Sequence, residues 1–217
     1  MKKKIIIGAL GLLVVTTGAV AMVRMQGESQ NYYNSSRATE DEKDMYSMGK
    51  DEKERLGTGG EYDPTQTTRE QIREKAESVA DQMGKTVDEA EEIILQNALE
   101  EKALYLAAIE VGINVTDSEV DQAVNDIRTA VHDEEEEEKQ LKAVIAGRGM
   151  SEDEYWNSLK AQYKVNMMIN KYLEGEYEKM ADKENVTKEE ENYSEKTATW
   201  RKILTDEAID KFDVKIN

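Results

Sequence analysis

From Thr67 onward, apolar residues recur every three or four positions, the period of amphipathic helices. Ile72, Ala76, Val79, Ala80 and Met83 predict a first helix stopped by Gly84. Ala90, Ile93, Ile94, Ala98, Leu104, Ala108 and Val111 give a wide stripe over a second, Val87–Val111. Val120, Val124, Ile127 and Val131 mark a third, opening at Asp117. A polar break, "HDEEEEEKQ", precedes a short helix carrying Leu141, Val144 and Ile145 and ending at Gly147. A long helix from Glu152 to about Met180 follows. The last spans about Lys188–Asp210, with Trp200, Ile203, Leu204 and Ala208. In the closing "FDVKIN", Phe212, Val214 and Ile216 alternate like a short strand.

The helix boundaries carry their own chemistry. Thr86/Glu89, Thr116/Glu119, Ser151/Glu154 and Thr187/Glu190 have capping-box spacing, as does Thr68/Gln71. Val115 and Val120, and again Met150 and Tyr155, sit at the positions of a hydrophobic staple. Gly112 can take the left-handed conformation that ends helices, with Ile113 turning back towards Ala108. The only proline, Pro64, precedes every helical run. The class expected is all-α.

The long helix has an unusually wide apolar arc. Tyr155, Leu159, Ile169, Leu173, Tyr177 and Met180 form one stripe; Trp156, Tyr163 and Met167 flank one side, Val165, Met168 and Tyr172 the other. Neighbouring helices covering both flanks would explain it. So would a groove for varied peptides, for which methionine and aromatic side chains are suited. Trp156, Met167 and Met168 are the candidate contact residues for the groove.

Composition restricts the function. With 38% hydrophobic and 35% charged residues there is enough for a helical core. The net charge of −18 repels phosphates and argues against nucleic acid as a partner. No cysteine is present, which removes disulfides, thiol catalysis and zinc–thiolate sites. His132, the single histidine, reads as a surface residue beside an acidic run. Asp133–Glu138 lacks the spacing and turn glycine of a calcium loop and reads as a solvated helix start. There is no nucleophile elbow, P-loop or dinucleotide fingerprint, so no catalytic, cofactor or metal site is expected.

Residues 1–24 are a targeting segment: Lys2, Lys3 and Lys4 precede the uncharged run Ile5–Val23. That run fits a single-pass anchor with the remainder outside the cytoplasm. Ala19-Val20-Ala21 equally fits a signal peptidase site, which would release the protein after Ala21. Residues 25–66 are polar, charged and rich in turn formers, the composition of a tether. The folded domain is expected over 67–217.

"ALEEKALYLAAIEVGINVTDSEVDQAV" followed by "GRGMSEDEYWNSLKAQYKVNMMINKYL" resembles the helical N-terminal domain of the SurA/PrsA class of extracytoplasmic chaperones, with the helical part of trigger factor more distantly similar. The resemblance covers roughly 68–180 and rests on the order and spacing of Gly112-Ile113, Val115-Thr116-Asp117, Glu119-Val120, Gly149-Met150-Ser151 and Glu154-Tyr155. It implies a C-terminal helix returning to complete the domain, which 188–217 would supply. The short opening strand and N-G turn frequent in the class have no clear counterpart in "GTGGEYDPTQTT". Relatives often carry a parvulin prolyl-isomerase domain before the returning helix. Only about twenty residues, near Glu174–Tyr193, are free for one, whereas a domain needs at least about 50. The resemblance therefore implies a binding domain for unfolded or partly folded secreted polypeptides, independent of ATP and without isomerase activity. A structural adaptor gripping one folded envelope partner is the alternative.

Overall fold

The computed structural model describes residues 62–217 apart from Gln82, Glu189, Glu191 and the Glu136 side chain, together with the backbone of β1 (Leu13–Thr16) and β2 (Ala19–Met22). The two strands pair antiparallel, Leu13 opposite Met22 and Thr16 opposite Ala19. The rest of the proposed membrane segment, and linker residues 25–61, lie outside the described residues. No described helix is long and apolar enough to cross a membrane.

Six helices build the described domain: α1 (Arg69–Val79), α2 (Val87–Glu110), α3 (Asp117–His132), α4 (Glu135–Arg148), α5 (Glu152–Glu184) and α6 (Tyr193–Phe212). Four begin as their sequences predict. Thr68, Thr86, Thr116 and Ser151 each accept from the amide three residues on, and the residue there returns a bond to the cap amide. The α2–α3 corner shows why the chain turns so tightly. Gly112, at φ +78°, donates to Ile109 O at 3.0 Å, and Ile113 donates to Ala108 O at 2.9 Å. These bonds satisfy two carbonyls that the helix end leaves open. Val115 and Val120 then close the staple inside the core.

α2 and α5 are the spine. α5 runs back along α2, so Leu104 meets Val165, Ile169 and Leu173. At one end α1 packs on α2 through Ile72, Ala76 and Val79 against Ala90 and Ile94. At the other, α3 and α4 wrap the first half of α5, burying Val120, Val124, Val131, Leu141 and Val144 against Tyr155, Trp156 and Leu159. α6 lies parallel to α2. Arg201 Nε donates to Glu100 at 2.6 Å and Lys211 pairs with Glu110, each pair 101 residues apart. Ala103, Ala107 and Ala208 line their seam with Val214.

Several boundaries differ from the sequence reading. α1 ends at Val79, and Gly84 (φ +62°) closes the turn after it. The acidic run is no long break: its last residues form the first turns of α4. That helix continues through Gly147 to stop at Gly149, which takes φ +61°. Thr187 and Glu190 close a turn, the Thr187 amide donating to Glu190 at 2.9 Å, and α6 starts later, at Tyr193. There the Tyr193 ring stands edge-on to Trp200.

The terminal strand is not formed. The alternation serves docking instead: Val214 and Ile216 are buried while Asp213 and Lys215 face solvent. Asn217 O accepts from the Arg69 amide at 2.7 Å, satisfying a free donor at the start of α1. Lys102 Nζ reaches Lys215 O at 2.9 Å. The domain also extends into the tether expected over 25–66. Pro64–Gln66 form a 3₁₀ turn, Pro64 is buried, and the Tyr62 hydroxyl donates to Glu101 Oε2 at 2.6 Å.

Candidate functional site

The three candidate contact residues occupy different environments. Trp156 is 3% exposed and Met168 8%, both inside the α3–α4–α5 core, with Met167 half-buried beside them. The Trp156 indole donates to Glu152 Oε1 at 3.1 Å and meets the Tyr155 ring edge-on at 5.3 Å. Arg148, itself buried, lays its guanidinium over the other aromatic, 5.5 Å from the Tyr155 centroid. On the opposite flank Val165 packs with Leu104 and Leu204. Partner helices therefore fill most of the wide arc. Trp156 and Met168 present no free apolar surface in this fold, and the groove expected along α5 is occupied.

Exposed apolar surface lies elsewhere. Ile109 is 47% and Val111 55% exposed at the end of α2. Beside them Leu106 and Phe212 are half-buried against the alanine seam with α6. Ile203, expected to face the core, is 40% exposed. It borders an open depression with Glu184, Lys196 and the edge of Trp200. Sequence periodicity missed this surface because Val111 and Ile203 fit an apolar stripe; only the position of α6 decides which edge remains uncovered.

Charge frames both places. Glu110 and Lys211 cross the α2–α6 seam. Glu184 accepts from Lys196 Nζ at 2.7 Å and from the Trp200 indole at 2.8 Å, and these bonds hold its carboxyl below the usual range. A half-buried polar cluster lies on the inner side of α2. Burial, then the Glu101 carboxylate, pushes the Tyr62 phenol well up; burial raises Glu101 and lowers Lys75. It fastens the domain's first residues to α2 and opens onto neither exposed apolar place. No group of three or more His, Cys, Asp or Glu side chains among the described residues is arranged to hold a metal.

The geometry is thus that of a helical scaffold with apolar edges framed by ion pairs. A family model described as the SurA-like N-terminal domain matches residues 58–169, just over half of the chain. The chain belongs to that family. The match takes in α1 to α4 and the first half of α5. α6 and the C-terminal residues lie beyond it and pack on α2. No parvulin domain is found, and residues 185–192, which join α5 to α6, leave no space for one. The glutamate-rich protein GrpA of Alkalihalophilus pseudofirmus is 35% identical over 109 residues, covering 46% of this chain and 67% of that protein. No solved structure matches.

Proposed function

We propose that this SurA-type domain holds unfolded segments of secreted polypeptides outside the cytoplasm, without ATP and without catalysing proline isomerisation. The observation that carries the reading is a chaperone-type helical domain whose two most exposed large apolar side chains among the described residues, Ile109 and Val111, cluster at the end of one spine helix. Such a surface offers weak, sequence-tolerant apolar contact. The acidic surface around it keeps a loaded complex soluble. Met167 is accessible at the edge of the α3–α4–α5 lobe, whereas Trp156 and Met168 act as core. The apolar run behind Lys2–Lys4 supports tethering of the domain to the outer face of the membrane, or secretion if the chain is cut after Ala21.

The test is suppression of aggregation of a chemically denatured secreted protein by the full chain and by an Ile109→Ser/Val111→Ser variant. The reading expects wild-type protein to slow aggregation, and the variant to melt normally and lose most of that effect. Wild-type protein that slows no client at several-fold molar excess would remove the chaperone reading in favour of an adaptor with one folded partner. Protease added to intact protoplasts should digest the domain; a protected domain would overturn the extracytoplasmic placement.

A further inference from the structure

His132 ends α3 at the point where α4 and α5 both begin. Its Nδ1 lies 3.2 Å from Glu138 Oε1 on α4, and its Nε2 lies 2.8 Å from Glu152 Oε1 on α5. A neutral imidazole has one N–H, so one ring nitrogen would then direct a lone pair at a carboxylate. Only the imidazolium donates to both. We propose that His132 is a proton-operated clasp, fastening the first turns of α4 and α5 to the end of α3 when charged and freeing the start of α4 when neutral.

The start of α4 depends on this contact. Its N-cap residue, Glu134, makes no side-chain capping bond, whereas Thr116 and Ser151 cap α3 and α5 fully. The helix is anchored further along, by Leu141 and Val144 in the core and by Arg148 over Tyr155. Among the described residues, Glu138 ties its first turns to another helix, and it does so through His132.

Other charges share the cluster. On α4, Lys142 Nζ is 2.9 Å from the same Glu138 oxygen. On α3, Arg128 Nε is 2.7 Å from Glu152 Oε1 and its Nη1 is 2.8 Å from Asp153 Oδ1 on α5. Both cations oppose protonation of the ring, while the three carboxylates favour it. The bonds to Glu152 and Glu138 dominate and raise the His132 pKa. A histidine raised on folding stabilises the folded form fully below its ordinary value of about 6.5, and that contribution is lost as pH rises through the higher folded value. The clasp is therefore closed in mildly acidic surroundings and opens towards alkaline ones.

As the chain has one histidine, imidazole NMR of the full-length protein in detergent micelles reports this site alone. The expected titration midpoint lies above 6.5 and falls towards it in Glu138→Gln and in Glu152→Gln. Hydrogen exchange, corrected for intrinsic rates, should show protection over 138–146 dropping across that midpoint while α2 is unchanged. The loss should be about tenfold for each pH unit by which the measured midpoint exceeds the ordinary value. In His132→Gln the pH step should vanish. A midpoint at or below 6.5, α4 protection that is flat across it, or the same step in His132→Gln would overturn the clasp.

Discussion

The two ends of the α2–α5 spine are closed by different means. The α3–α4–α5 lobe is closed by neighbours in sequence: capped and stapled starts of α3 and α5, and valines and aromatics meeting within one stretch of chain. The α1 end is closed by remote segments. Ile216 enters the α1–α2 core, the Arg69 amide donates to Asn217, and Tyr62 and Lys102 bind across the same region. A local lobe can form its contacts early and at little loop-closure cost. The other end is complete only when the last residues have returned.

This difference sets an order of effects. Deleting 193–217 removes Trp200, Leu204, Ala208, Val214 and Ile216 together and uncovers Ala103, Leu104 and Leu173. With each large buried side chain contributing about 2–5 kcal/mol, the truncated chain should be insoluble or molten. An unchanged melting curve would show that the returning segment is a tail. Trp156→Ser should cost about 3–5 kcal/mol in denaturant unfolding, and Met167→Ser less than about 1. A near-neutral Trp156 substitution would place that side chain on a surface and reopen the groove along α5. Ile216→Ala should cost about 2–4 kcal/mol and raise exchange at the start of α1 more than in α4. The reverse pattern would break the division between the two ends.

Smaller effects sharpen the picture. The Lys171 ammonium, then the Thr116 amide, hold Glu119 down to about 2. A carboxylate lowered on folding stabilises above its ordinary value of about 4.3, and the contribution is lost as pH falls through the folded value. Melting temperature between pH 4.5 and 2 should therefore fall less in Glu119→Gln than in wild type. The smallest effect concerns Asp213, which takes φ +46° to end α6. Asp213→Gly relieves that conformation and breaks only an exposed pair with Lys215, so stability should rise by about 0.5–1 kcal/mol. A fall would mean that Asp213 contributes more than its backbone geometry.

The same division explains what the sequence made readable. Caps and stops rest on residues a few positions apart, so Thr116, Glu119 and Gly112 announce the α2–α3 corner without tertiary information. Some failures are local, such as the α4 stop at Gly149 and the Thr187 turn, but the larger ones lie at the remote contacts. Val214 and Ile216 alternate as a strand would, but the extended tail lies across α1 and α2 with no strand partner. Asn185 and Asp213 end helices at positive φ without being glycine, so neither residue type marks a stop by itself. The arc on α5 was visible; its covering was not, because only packing places Val124, Leu141 and Leu204 over its flanks. Ile109 and Val111 are exposed for the corresponding reason: only the packed position of α6, which pairs Lys211 with Glu110, decides which side of the α2 end stays uncovered.

The functional account turns on where an unfolded polypeptide touches the domain, and site-specific photocrosslinking measures that directly. A benzophenone amino acid is placed at Ile109 in one full-length variant and at Met167 in another, and each is mixed with a denatured secreted protein. The account predicts strong adducts from position 109, competed away by excess unlabelled unfolded chain, and weak ones from 167. Adducts from 167 with silence at 109 would contradict it.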